Sequence, residues 1–270
     1  MRLTFFFLIL ILLGAVHLQA AKEEPILVID PRGHSAMINH VMFTPDGKRL
    51  ISVSDEPPAV NRFTRTRTTY SNIRLKKLNN YELQVGDGIT IKSDPDLNGR
   101  IRCYTFTNDG KVVVGSEYSL NLYGNDGSFV CGFIGHTGVI WAVSVSENGG
   151  ILASASDDQT IKLWNIASGQ LLATLFVAAD NEWICWTPQG FYAASAGGER
   201  YIGWQVNRGM DKSADFYHVY NFRSQYYNPG LVKRTIELCS FEKALAEFNA
   251  GPGRKIEAPA APQNLPPKVQ

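Results

Sequence analysis

The stretch from Phe129 to Leu172, FVCGFIGHTGVIWAVSVSENGGILASASDDQTIKLWNIASGQLL, constrains the fold of this chain more than any other. Apolar residues alternate along Val139, Trp141, Val143 and Val145, the period-2 pattern of a strand with one face in a core. A Glu147-Asn148-Gly149-Gly150 turn reverses the chain into LASAS, an Asp-x-Thr turn at Asp158–Thr160 reverses it again, and IKLW ends on Trp164. Four short strands with such markers make one unit of a repeated β architecture.

Two landmarks of this unit recur along the chain. One is a polar turn ending in glycine, at Thr44–Gly47, Thr107–Gly110, Ser146–Gly149 and Thr187–Gly190. The other is a short strand ending at a bulky position, at Lys76, Tyr123, Trp164 and Trp204. The last two periods are about 40 residues. The earlier spacing is longer and places extra residues near 55–69 and 86–99, both expected to be surface loops. The boundaries read from these landmarks are 25–79, 80–128, 129–170 and 171–207.

Gly135-His136, the Asp-x-Thr turn and Trp164 resemble a WD40 repeat. The resemblance implies a mainly β chain, a WD40-type β-propeller with about four recognisable repeats in a partial or small ring. Short α-helices and a Pro-rich tail follow. In such propellers an N-terminal strand, here Ile26–Asp30, completes the last blade. The resemblance also implies a structural hydrogen-bond network of His136, Ser154, Asp158 and Trp164. A Ser, His and Asp together also spell a catalytic triad, but Ser154 sits mid-strand with no nucleophile-elbow turn, so the group is read as structural. Further repeat markers are Gly33, His34, Gly135 and Trp204, whereas Lys76 and Tyr123 stand where two other repeats would carry tryptophan.

The 270 residues are 44% apolar and 11% aromatic, enough for a substantial core, and the net charge of +1 gives no electrostatic case for nucleic acid or a membrane surface. Cys103, Cys131, Cys185 and Cys239 never form C-x-x-C, which argues against a zinc or redox pair; they are expected as small buried hydrophobes, or as a disulfide in an oxidising compartment. No metal or cofactor is expected. Residues 1–21 read as a signal peptide: Arg2, an apolar run from Phe5 to Leu13, then small residues. The mature chain would start near Lys22, exported to the periplasm or secreted, with no membrane span after cleavage. Arg62, Arg65 and Arg67, in the first extra segment, are a candidate contact for an acidic partner.

Past the repeats (22–207), residues 208–250 read as a short helical extension and 251–270 as a Pro-rich linker. Asn228-Pro229 caps and opens one helix, and Ser240 caps a second that stops at Gly251-Pro252. The aromatic run Phe216–Tyr227 is expected to pack these helices on the last blade or, alternatively, to present a tyrosine-rich ligand surface. Residues 182–240 carry EWICWTPQGFYAAS, GGERYIGW and FRSQYYNP. These resemble the end of the propeller in bacterial proteins that fuse WD40 repeats to a caspase-like (peptidase C14) domain. No Q-A-C-x-G context is present, so the chain itself is read as no protease. The functions this leaves are a non-catalytic exported interaction scaffold and the sensor half of a caspase-like system. Its partner would be a protein of unspecified identity, with such a protease or a second copy of the chain as candidates. A propeller enzyme acting on a small ligand rests on fold analogy alone.

Overall fold

The computed structural model describes residues 26–29, 40–43, 50–53, 66–207, 213–251 and 255–256. Its strands begin with β1 (Ile26–Ile29), β2 (His40–Phe43), β3 (Leu50–Val53), β4 (Thr69–Tyr70), β5 (Ile73–Lys77), β6 (Glu82–Val85) and β7 (Ile89–Lys92). Next come β8 (Ile101–Phe106), β9 (Val112–Ser116), β10 (Leu120–Tyr123), β11 (Phe129–Gly132), β12 (Ile140–Val145) and β13 (Ile151–Ser156). The last are β14 (Thr160–Asn165), β15 (Leu171–Val177), β16 (Trp183–Trp186), β17 (Tyr192–Ala194), β18 (Ile202–Val206) and β19 (Asp215–His218). Helices α1 (Arg223–Tyr226), α2 (Pro229–Glu237) and α3 (Phe241–Ala250) follow.

The chain is mainly β, folded into several antiparallel sheets. β4–β7, β8–β11 and β12–β15 are each sequential meanders, as short connections between short antiparallel strands favour. The middle strand β13 shows why the sheets stack. All six of its residues are buried, the sign of a strand covered on both faces. Leu152 points with Val143, Val145 and Trp164 into a cluster shared with Val113, Leu120 and Leu122 of the β8–β11 sheet. Ala153 and Ala155 point the other way, with Ile161 and Leu163, onto Val41 and Phe43 of β2. The large side chains therefore fill one inter-sheet space, and the alanines let β2 approach closely on the other. The Phe43 amide donates to Ser144 Oγ at 3.4 Å across this second contact.

A third inter-sheet core joins Leu75, Leu83, Val85 and Ile91 of β5–β7 to Ile101, Phe106, Val112 and Val114 of β8 and β9. The sheets thus follow one another as β4–β7, β8–β11, β12–β15 and then the β2–β3 hairpin. On the face of β4–β7 turned away from β8, Arg74, Lys76, Thr90 and Lys92 are exposed. Among the described residues the stack ends there in a polar surface.

The repeat boundaries differ from those the landmarks suggest. Ile73–Lys77 is not the closing strand of an enlarged first repeat; it is the second strand of the separate β4–β7 sheet. The segment 86–99 is not one loop, because Ile89-Thr90-Ile91-Lys92 alternates and pairs as β7 with β6. Its flanking glycines mark the turns on either side of a strand, which the landmark count merged into one insertion. Similarly, residues 171–177 belong to the third sheet, and β16 and β17 extend that sheet instead of opening a fourth. β1 pairs with β18, from Ile26 opposite Gln205 to Ile29 opposite Ile202, and β19 adds to the far side of β18.

The aromatic run divides between surface and core. Tyr217, Phe222 and Tyr226 are buried with Trp204, whose ring lies 5.1 Å from that of Tyr226, while Phe216 and Tyr220 are exposed. Leu231, Val232, Phe241 and Ala244 of α2 and α3 pack on Ala173, Cys185, Phe191 and Ala193. The Asn228 side chain accepts from the Leu231 amide at 3.0 Å ahead of Pro229. Asn228→Ala is expected to cost about 1 kcal/mol, the usual loss of an N-cap, read as a lower urea midpoint at unchanged slope. All four cysteines are free thiols, and burial pushes those of Cys103 and Cys185 up to about 12. Among the described residues no helix is long and apolar enough to cross a membrane.

Candidate functional site

The turn between β13 and β14 connects the interior of the third sheet to its surface. Two adjacent aspartates, Asp157 and Asp158, occupy it and point in different directions. Asp158 turns inward: its Oδ2 lies 2.7 Å from His136 Nδ1, and the other ring nitrogen, Nε2, lies 2.7 Å from Ser154 Oγ. The Trp164 indole N–H donates to the same Ser154 Oγ at 2.8 Å. A carboxylate can only accept, so Nδ1 carries the proton, Nε2 accepts, and the serine hydroxyl donates to it. The chain of donors then runs unbroken from Trp164 to Ser154, His136 and Asp158.

Asp158 also holds its own turn. Oδ1 accepts from the Thr160 amide at 2.9 Å and hydroxyl at 2.6 Å, and Oδ2 accepts from the Thr137 amide at 3.2 Å. Burial alone would raise this carboxyl. The hydrogen bond from His136, joined by the bonds from Thr160, outweighs it and holds the pKa at about 2. Thr160 and Thr137 were not among the residues singled out from the sequence, although the Asp-x-Thr spacing signals the first.

The geometry offers no nucleophile. Ser154 and Trp164 are both fully buried, and the serine oxygen is occupied by the indole and the imidazole. Gly135 lies against the tryptophan: a Cβ there would stand 3.1 Å from the ring. Lys162, on the same face of β14, is buried with its Nζ 3.2 Å from Thr174 Oγ1, and burial lowers its pKa.

Asp157 turns outward. It accepts from the Trp141 indole at 2.6 Å, and the Arg102 guanidinium lies over the Trp141 ring at 5.0 Å. Arg102 is paired with Glu117, while its Nε is buried without a partner. The Glu117 carboxylate also accepts from the Arg100 amide at 3.0 Å, and the Tyr118 amide donates to Asn98 O at 3.0 Å. One continuous surface therefore runs from the loop before β8, across the β9–β10 turn, to the β13–β14 turn. It exposes Leu97 (75%) and Tyr118 (68%) beside the half-buried Trp141. No local motif signals this surface, since its parts meet only when β8 and β12 become neighbours.

Other markers are placed differently. Trp204, expected at a strand end, lies in the middle of β18 and is buried, but its Nε1 has no partner. Arg67 bonds Asn108 and lies 3.2 Å from Glu147, so this arginine is engaged within the chain. Arg62, Arg65, Gly33 and His34, like residues 1–21 and 257–270, lie outside the described residues. Among the described residues no group of three or more His, Cys, Asp or Glu is placed to hold a metal ion.

The family described as WD domain, G-beta repeat matches residues 24–56 and 127–165. These two stretches are WD40 repeats. The second contains β11–β14 with the whole Trp164–Asp158 network, so the fold is a WD40-type β-propeller with antiparallel blades. Similar proteins include the ribosome biogenesis protein BOP1 homolog of Dictyostelium discoideum, 40% identical over 22% of this chain and 7% of its own length. The eukaryotic translation initiation factor 3 subunit I of Neurospora crassa is 42% identical over 29% of this chain and 24% of its own. WD repeat-containing protein 1 of Gallus gallus is 24% identical over 57% of this chain and 30% of its own. The chain thus spans less than a third of each of these relatives, and the likeness is one of repeats. WD40 repeats generally mediate protein–protein interactions.

Proposed function

We propose that this chain is an exported, non-catalytic scaffold that binds a protein partner on the surface formed by Leu97, Tyr118, Arg102, Trp141 and Asp157. The observation that carries this reading is the pairing of Asp157 and Asp158 in one turn. The inward aspartate is fixed by His136, and the outward one orients Trp141, which supports Arg102. A rigid aromatic and arginine group beside two exposed apolar side chains is the composition of a binding hot spot. Selection of a phage-displayed peptide library against the immobilised chain tests it. Enriched peptides are expected to lose about tenfold or more in affinity for Tyr118→Ala or Leu97→Ala, the loss of one apolar anchor. Peptides that bind these variants as well as the parent would overturn the assignment. Export is tested by N-terminal sequencing of the mature protein, expected to begin near Lys22.

A second reading is the sensor half of a caspase-like proteolytic system. It is favoured by EWICWTPQGFYAAS, GGERYIGW and FRSQYYNP, which meet in one core: Ile184, Tyr192, Tyr201, Trp204 and Tyr226 are buried together. Sequencing of the neighbouring reading frames tests it, and the absence of a caspase-like frame would count against it.

A further inference from the structure

Three meanders end on a strand, β7, β11 and β15, and the fold treats these strands differently. β15 is covered, because β16 pairs along it from Thr174 opposite Trp186 to Val177 opposite Trp183. Among the described residues nothing pairs with the outer edge of β7, which carries exposed Lys92, 3.7 Å from Glu82, a charge of the kind that discourages edge pairing. Among the described residues β11 has neither device. It is the end strand of its sheet, with β10 as its neighbour, and the whole stretch Gly127–Gly138 holds no Asp, Glu, Lys or Arg. Phe129 (63%), Val130 (46%) and Ile134 (90%) are exposed along it. The turn at Gly169 approaches Cys131 and the Gly132 carbonyl but leaves these three uncovered.

The covered edge shows what such a strand accepts. Phe129 stands opposite Tyr123 as Leu171 stands opposite Trp164, and the same one-residue bulge follows in each ladder. β16 pairs just beyond that bulge, along Thr174–Val177, so a bulge at this place leaves the following residues of the edge able to take a further strand. Counting on from it, Ile134 corresponds to Phe176, which is 2% exposed with its ring 5.6 Å from that of Tyr201. Ile134 occupies the equivalent place with its cover missing.

We propose that the β11 edge is a strand-addition site and that its occupant is β11 of a second copy, paired antiparallel about a two-fold axis. An uncharged apolar strand is complementary to itself: self-pairing brings no like charges opposite one another and satisfies unpaired backbone groups on both chains. This interface is separate from the Leu97–Tyr118 surface, so either can fail without the other.

Sedimentation velocity of the full mature chain over a concentration series tests the proposal, together with hydrogen exchange of peptides spanning 127–135. The expected result is a monomer–dimer equilibrium in which exchange of this segment slows as the dimer forms. Val130→Lys and Ile134→Lys should each raise the dimer dissociation constant by about tenfold or more with unchanged thermal midpoints, since both side chains are exposed. Thr90→Lys on the already charged β7 edge should leave the constant as it is. A chain that stays monomeric across the series, or dimerises equally well with Val130→Lys and Ile134→Lys, overturns the proposal, as does a dimer whose 127–135 exchange is unchanged.

Discussion

Trp164→Ala is expected to cost about 3–5 kcal/mol of folding stability, as for other buried tryptophans cut to alanine. Trp164 is fully buried, with its ring 5.7 Å from Phe133 and 6.0 Å from His136, in the cluster that joins the second and third sheets. The substitution opens a cavity between sheets and removes the donor on Ser154. Against a usual total of about 5–15 kcal/mol for a domain, that is a large fraction, and far-UV circular dichroism in urea reads it directly. Two phenylalanine variants separate packing from hydrogen bonding. Trp164→Phe keeps most of the bulk but loses the bond to Ser154, for about 1–2 kcal/mol. Trp204→Phe loses no hydrogen bond, because that indole N–H has no partner, and is expected to cost less. Equal costs for the two would mean that the network contributes nothing beyond packing.

The second large effect is a loss of stability in acid. Asp158 is held at about 2 in the folded protein against an ordinary 3.8. A carboxyl whose folded pKa is depressed stabilises the fold above its unfolded value, and that contribution disappears as pH falls through the folded value. The window is therefore from about pH 4 down to about pH 2, and the amount is on the order of 2–3 kcal/mol. Asp158→Asn removes the titrating group, so the variant should be less stable at neutral pH and lose less on acidification across this window. Unfolding free energies from urea titrations at several pH values check it. Parallel curves for the parent and Asp158→Asn would show that other carboxylates set the acid response.

The third blade was legible because every one of its signals is local. Gly135-His136, LASAS, Asp158-x-Thr160 and Trp164 fall within one repeat, and their spacing alone brings the side chains together. The β4–β7 sheet was misread because the markers stop there: no Gly-His opens it, and Ile73–Lys77 resembles the closing strand of a different unit. Only the alternation at Ile89–Lys92 betrays β7, and four residues between glycine turns carry little weight beside a long apparent loop. The Leu97–Tyr118–Trp141 surface was hidden for another reason. Its residues come from the loop before β8 and from two different sheets, so its existence depends on which inner strands become neighbours, which no single repeat encodes.

The position of the first described strands bears on how the molecule is made. β1 pairs with Ile202–Gln205, and Val41 and Phe43 pack on side chains from β13 and β14. A chain synthesised from its N-terminus exposes β1 first and supplies its partner late. At about 5–20 residues per second, β1 waits on the order of 10–35 s before β18 is made. The meanders β4–β7, β8–β11 and β12–β15 need no such delay, since each strand's partner follows within a short turn. β1 can therefore pair only after most of the chain has been made, although it is translated first.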